Sequence, residues 1–152
     1  MSSSTYKIVQ ASLEHISVLV PLFDGYRQFY GQASDLAGAE RFLADHFKRK
    51  SSVVFLALGE DQKGLGFTQL YPSYSSVSMR QLWILNDLFV AADARRSGIG
   101  RALLERAREF ALETQAKGLT LNTAVTNTRA QSVYESAGWQ RETEFYAYNL
   151  YL

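Results

Sequence analysis

The run Gln81-Leu82-Trp83-Ile84-Leu85-Asn86-Asp87-Leu88-Phe89-Val90 leads, through Ala91 to Ala94, into Arg95-Arg96-Ser97-Gly98-Ile99-Gly100-Arg101. The first part reads as a largely apolar strand, of the kind that lies centrally in a sheet with both faces covered. Asn86 and Asp87 are the only adjacent polar residues inside it. Ile99, Leu103, Ala107 and Phe110 then recur at helical spacing, so the glycine loop joins a buried strand to the N-terminus of a long amphipathic helix. Glycines let backbone N–H groups approach phosphate oxygens, the helix N-terminus adds positive potential, and Arg95, Arg96 and Arg101 add formal charge around it. Such a loop is suited to hold a pyrophosphate. By chance alone, Arg-x-x-Gly-x-Gly would arise in roughly one chain of this length in twenty-five, so the strand-to-helix context carries the reading. A Walker loop is excluded because no Gly-Lys-Ser/Thr follows, and a dinucleotide fingerprint fails because its first glycine is missing.

Upstream, Tyr6–Gln10 alternates as a first strand, and Ser12 is placed to cap a helix carrying Leu13, Ile16, Val20 and Phe23, with Pro21 expected to kink or restart it. Gly31–Ser34 breaks that helix, and Leu36–Lys50 reads as a second one with a solvated basic end. Val53–Leu58, a turn over Gly59–Gly64 and Leu65–Tyr71 read as a hairpin, followed by a polar connection over Pro72–Ser78. Downstream, the long helix pairs Arg101 with Glu105 and ends at Lys117-Gly118; Leu119–Val125 alternates as a strand. Asn127 caps a short helix with Ala130, Val133, Tyr134 and Ala137 at helical spacing, and Trp139–Leu150 supplies one or two final strands. This order describes one mixed α/β domain spanning residues 1–152.

Two blocks in this order resemble the GNAT superfamily of acetyl-CoA-dependent N-acetyltransferases. The family's cofactor loop, Gln/Arg-x-x-Gly-x-Gly/Ala after a strand, is matched by Arg95, Gly98 and Gly100; its Asn-x-x-Ala-x-x-x-Tyr-x-x-x-Gly-aromatic block is matched by Asn127, Ala130, Tyr134, Gly138 and Trp139. Leu85-Asn86-Asp87-Leu88-Phe89-Val90 and Tyr26-Arg27-Gln28-Phe29-Tyr30-Gly31 are similar to the small polyamine and histone-acetyltransferase-like members. The fold implied is a single GNAT-like α/β domain with a mixed, mostly antiparallel twisted sheet flanked by helices.

The resemblance also implies roles. Leu88, Phe89 and Val90 would offer backbone groups to the pantetheine arm of acetyl-CoA. Arg95, Arg96, Ser97, Gly98, Ile99, Gly100 and Arg101 would surround the pyrophosphate, and Asn127 would contact the cofactor unless it is a simple helix cap. Tyr134 would protonate the leaving thiolate; a phenol of pKa about 10 stays protonated at neutral pH and can donate to a thiolate of pKa about 8.5. A core tyrosine is the competing reading. An alkylammonium acceptor of pKa about 10.4 must lose a proton before it attacks, yet the position commonly held by glutamate in polyamine-type members is Asn86 here. Asp87 is the adjacent carboxylate, but strand alternation turns it to the opposite face unless a bulge redirects it. Deprotonation through a water held by Asn86 and a base elsewhere in the chain are the other routes, and a hydrogen-bonding role at the strand end is the competing reading of Asp87. Tyr26, Phe29, Tyr30, Tyr71, Tyr74 and Trp83 are candidates for the acceptor pocket, because aromatic faces attract ammonium groups, with core packing as the alternative for each.

At 152 residues, with 47% hydrophobic and 20% charged residues, the chain has the composition of one globular domain. A net charge of +1 gives no global attraction to nucleic acid or an anionic membrane, and zero cysteines exclude disulfides, thiolate nucleophiles and cysteine-ligated metals. His15 and His46 stand far from any third ligand, so no metal site is expected. Met1–Thr5 lacks the pattern of a secretory signal and no run spans a bilayer, which leads to the expectation of a soluble, cytoplasmic protein. The aromatic run Phe145–Tyr151 could pair strands across a homodimer. The expected activity is direct transfer of acetyl to a primary amine. A catalytically weak acyl-CoA-binding regulatory module and an unrelated nucleotide-phosphate-binding protein are its competitors.

Overall fold

A computed structural model describes residues 5–152; Met1–Ser4, part of the segment read for a secretory signal, lie outside the described residues. The elements follow as β1 (Lys7–Gln10), a 3-10 turn at Leu13–His15, α1 (Ile16–Phe29), α2 (Leu36–Arg49), β2 (Val53–Leu58), β3 (Gly64–Ser75), β4 (Arg80–Val90), α3 (Ile99–Glu113), β5 (Gly118–Thr120) and α4 (Thr128–Ser136). They fall into two compact units, residues 1–121 and residues 122–152. The first holds a five-stranded sheet in the order β1-β2-β3-β4-β5, antiparallel except for the parallel β4–β5 pair. The β4–α3–β5 stretch is therefore a crossover unit, as a long strand followed by an amphipathic helix requires.

Alternation along β2 and β3 sorts side chains to two faces. On one, Val54, Leu56, Leu58 and Phe67 pack with Leu19, Leu22 and Phe23 of α1 and Ala39 and Leu43 of α2. On the other, Phe55 meets Phe110 of α3 with ring centroids 5.4 Å apart, and Trp83 meets the same ring at 5.0 Å. Gly25 lets α1 lie close on β4, since a Cβ there would come within 3.3 Å of the Phe89 ring.

Several local expectations are corrected. His15 Nδ1 accepts from the Ser12 backbone N–H at 3.0 Å, and α1 then runs through Pro21 without a break. The missing proline N–H removes one helical hydrogen bond, while packing of Leu19, Val20, Leu22 and Phe23 around it keeps the helix on the sheet. The connection expected over Pro72–Ser78 is mostly strand: β3 continues to Ser75, because Pro72, Ser73 and Tyr74 find partners in Trp83, Leu82 and Gln81. Lys50 adopts φ 53 at the end of α2 and closes the helix one residue early.

Asp24 in α1 is buried and accepts from Ser34 Oγ at 2.7 Å, the Asp35 backbone N–H at 2.8 Å and Gln28 Nε2 at 2.9 Å. The Asp35 N–H and the Ser34 hydroxyl hold its carboxyl below the usual range. These bonds fasten the α1–α2 connection, and Asp35 in turn caps α2 by accepting from Gly38 N.

The second unit carries α4, capped by Asn127 Oδ1, which accepts from Ala130 N at 3.1 Å. Tyr134 and Trp139 lie 6.1 Å apart by ring centroids. The strand expected over Leu119–Val125 contracts to Gly118–Thr120, and no strand forms among residues 139–152. Alternating aromatics signal a strand only when a neighbour takes up the backbone hydrogen bonds, and the described residues of that stretch have no strand ladder. Among the described residues no helix is long and apolar enough to cross a membrane.

Candidate active site

The pairing of β3 with β4 is broken at one step: Gln69 faces Asp87, but Leu70 faces Leu85. Asn86 is the extra residue of a β-bulge. Trp83 and Leu85 point toward α3, and simple alternation would send Asp87 after them. The inserted residue reverses the sense, so Asp87 lies on the α1/α2 side with Phe89. The obstacle that alternation raised against Asp87 is thereby removed by the bulge.

Asp87 is 2% exposed. Its carboxylate accepts from Gln69 Nε2 at 2.6 Å and from Asn86 Nδ2 at 2.8 Å. Tyr26 of α1 donates its hydroxyl to the Asn86 carbonyl at 3.1 Å, which ties the helix to the bulge. Burial pushes the Asp87 pKa up; hydrogen bonds from Asn86 and Gln69, together with Tyr26 and the charge of His46, work in the opposite direction. Tyr26 and Tyr71 are driven well above the ordinary phenol value, first by burial and then by the Asp87 charge. A carboxyl raised by burial but still supplied with donors to its charged form has the chemistry of a proton acceptor.

Beyond the bulge β4 has an open edge. Its parallel pairing with β5 covers Leu82 to Ile84, and past that point no strand pairs on that side among the described residues. Apart from the Val90 carbonyl, backbone groups of Leu88–Val90 that point to this edge have no strand partner and can meet an extended amide chain. Arg95 folds back, donating Nε to the Val90 carbonyl at 3.0 Å with its guanidinium 5.6 Å from the Phe89 ring centroid. Lys63 reaches Asp93 at 2.6 Å and pins the start of the loop to the β2–β3 turn; its charge and hydrogen bond lower the Asp93 pKa.

Gly98 has φ 84, a left-handed conformation that a side chain disfavours, and the space where a Cβ would project is open. No side chain caps α3 at Gly98, the arrangement in which a helix N-terminus can turn N–H groups toward an anion. Ile99 is 1% exposed, its side chain sunk into the core, so any ligand contact it makes is through its backbone. The Ser97 hydroxyl is spent on the Ala94 carbonyl. Together the uncapped turn, the glycine conformation, the exposed Arg95, Arg96 and Arg101, and the open β4 edge fit the pyrophosphate and amide arm of a coenzyme A thioester.

Of the aromatic candidates, Tyr26 is brought to Asp87 and continues outward to Tyr30 at 5.2 Å and, through it, to Phe29 at 5.3 Å. Tyr71 joins the same cluster beside His46, ring centroids 5.4 Å apart. Trp83 is corrected: it is buried on the α3 face, donating Nε1 to Thr114 Oγ1 at 2.9 Å, on the other side of the sheet from Asp87. Tyr74 is also not brought in, since it pairs with Gln81 far along the β3–β4 arm from the Gln69–Asp87 pair. Gln69 and Ser52, which stand behind Asp87, have no signal in the sequence. A lone glutamine in an apolar strand and a serine at its neighbour's start carry no motif, although Gln69 is the only polar side chain besides Thr68 between Gly66 and Tyr71.

The site thus joins an open α/β sheet, whose fourth strand frees its edge beside a glycine-bearing helix N-terminus, to a buried carboxylate one bulge away. The chain belongs to the acetyltransferase (GNAT) family, whose model matches residues 19–139, and is an N-acetyltransferase by class. It is 47% identical over 143 residues to an uncharacterized N-acetyltransferase of Bacillus subtilis (strain 168), covering 94% of this chain and 95% of that one. A probable acetyltransferase of Haemophilus influenzae (strain ATCC 51907 / DSM 11121 / KW20 / Rd) is 35% identical over 134 residues, covering 88% and 90%. The crystal structure of a probable acetyltransferase superposes with a TM-score of 0.92 at 46% identity, covering 96% of this chain and 97% of the other.

Proposed function

We propose that this chain transfers the acetyl group of acetyl-CoA directly to a primary amine, with Asp87 as the general base. The observation that carries the reading is the bulge at Asn86, which delivers a buried, hydrogen-bonded carboxylate to the α1/α2 side of β4. An ammonium acceptor gives a proton to Asp87: an N–H bond breaks, an O–H bond forms, and the nitrogen pair is freed to attack. Asn86 cannot take that proton; its amide donates to Asp87 and steadies it. The first turn of α3 from Gly98 to Arg101 would hold the pyrophosphate and the Leu88–Val90 edge the pantetheine amides, with the thioester supplying the activated acetyl group. Placement of both reactants then provides much of the rate. Tyr134 is assigned as proton donor to the thiolate, on the strength of the Asn127-to-Trp139 block that this sequence shares with the family. The Tyr26–Tyr30–Phe29 row leading to Asp87 suits an alkylammonium acceptor.

The test follows free thiol with acetyl-CoA and a panel of a polyamine, an amino acid, an aminoglycoside and a lysine peptide. Acceptor-dependent release with at least one amine is expected, falling when Tyr134 is replaced by Phe by roughly ten- to a thousand-fold in single turnover while cofactor affinity changes little. Release that stays at the hydrolytic background with every amine, in a chain that binds acetyl-CoA, would overturn the amine reading.

A further inference from the structure

The side chain of Gln69 sits in the middle of β3, directly across from Asp87, and is 0% exposed. Two residues earlier, on the same face, Phe67 belongs to the apolar core, so packing gives no reason for an amide at this level. Burying an amide is costly unless its polar atoms are bonded, and here both ends are. Ser52 Oγ donates to Gln69 Oε1 at 2.8 Å, and Gln69 Nε2 donates to Asp87 Oδ2 at 2.6 Å. Ser52 is itself buried at the entry to β2, so the three side chains form a line across β2, β3 and β4.

We propose that Gln69, its amide held in one orientation by Ser52, is a positioning residue that aims the Asp87 carboxylate and keeps it ionisable for proton acceptance. This rests on the reading of Asp87 as general base. The polarity of the line is set by chemistry. An ionised carboxylate only accepts hydrogen bonds, so the glutamine must turn its NH2 toward Asp87, which leaves its carbonyl oxygen for Ser52 and obliges that hydroxyl to donate. The line therefore favours charged Asp87 against the burial that opposes it. Without the donor, the carboxyl would keep its proton to higher pH and could not take one from the acceptor.

The titratable groups facing Asp87 are Tyr26 from α1, Tyr71 from β3 and His46 from α2. The two phenols hold their protons across the neutral range, because burial and the Asp87 charge raise them. His46 is the neighbour that can bring a positive charge, with Nδ1 2.6 Å from Ser51 Oγ, the residue before Ser52. The His46→Gln background removes its contribution to the Asp87 environment.

The experiment titrates the Asp87 side-chain carboxyl carbon by NMR in the wild type, Gln69→Leu and Ser52→Ala, each repeated with His46→Gln, and records pH–rate profiles alongside. Gln69→Leu is expected to move the Asp87 titration, and the acidic limb of the rate profile with it, to higher pH by about one unit. Ser52→Ala, which leaves the glutamine in place, is expected to move both in the same direction by less. A merely structural Gln69 would lower thermal stability without moving either curve. If Gln69→Leu does not fold, Ser52→Ala decides alone. Coincident Asp87 titrations in the wild type and the folded variants overturn the proposal. The base reading fails separately, if Asp87→Asn keeps the acidic limb of the wild type.

Discussion

The two halves of β4 are one continuous strand built on opposite plans. From Leu82 to Ile84 it is hydrogen-bonded on both sides, to β3 and to β5, and Trp83 is sealed against Phe110 of α3 and Thr114 just after its end. From Asn86 to Val90 it keeps β3 alone, carries a bulge, buries a carboxylate and frees an edge that ends at the glycine loop. Leu85, 4% exposed, is the last residue of the first plan. The first half holds the sheet together by apolar burial and paired backbone. The second spends part of that stability, since a buried carboxylate whose pKa is raised is worse off folded than unfolded at neutral pH. One inserted residue divides the strand into a half paired on both sides and a half with a free edge, and on the proposed function the two should respond differently to substitution.

The sharpest contrast is expected from Asp87→Asn in the working half. It should lower turnover at neutral pH by about 10²- to 10⁴-fold, with partial recovery at high pH as free amine becomes abundant, and leave acetyl-CoA affinity within a few-fold. Superimposable pH–rate profiles of the variant and wild type would erase the distinction drawn for Asp87. In the scaffold half, Leu85→Ala should cost about 2–5 kcal/mol by chemical denaturation, while the surviving folded protein keeps a pH–rate profile of unchanged shape.

At the far end of the open edge, Gly98→Asp puts a side chain on a left-handed backbone and a negative charge where an anion would bind, so calorimetry should show coenzyme A binding weakened about tenfold or more. Wild-type affinity in a folded variant would remove the loop as the phosphate site.

The smallest effect concerns stability and separates the halves by pH. A carboxyl whose folded pKa lies above its unfolded value binds its proton more tightly when folded, so its destabilising charge is present above the folded pKa and disappears as pH falls through it toward the unfolded value. Asp87→Asn should therefore melt at or above the wild-type temperature at neutral pH, and the difference should shrink as the solution is acidified. Leu85→Ala should show no such narrowing from this site.

Much of this was legible in the residues. The strand-loop-helix run from Gln81 to Phe110 locates the central strand and the glycine-bearing helix start because apolar periodicity and glycine are local properties, readable without a partner. The match of Asn127, Ala130, Tyr134, Gly138 and Trp139 points to the family for the same reason. The extension of β3 to Ser75 was hidden, because Pro72 and Ser73 read as a connection until Trp83 and Leu82 supply their backbone partners. Trp83 and Tyr26 are equally aromatic in the sequence; packing on α3 takes one away from Asp87, and a hydrogen bond to the bulge brings the other beside it.

The sequence by itself determined that Asn86 and Asp87 are the polar pair of an apolar strand that runs into a glycine-bearing helix N-terminus. Only the tertiary structure decided which way Asp87 points and that Gln69 and Ser52 stand behind it. The physical reason is register. Side-chain direction in a strand has a period of two, so a single unpaired residue reverses every face that follows, and whether a residue is unpaired depends on the neighbouring strand rather than on its own neighbours in the chain.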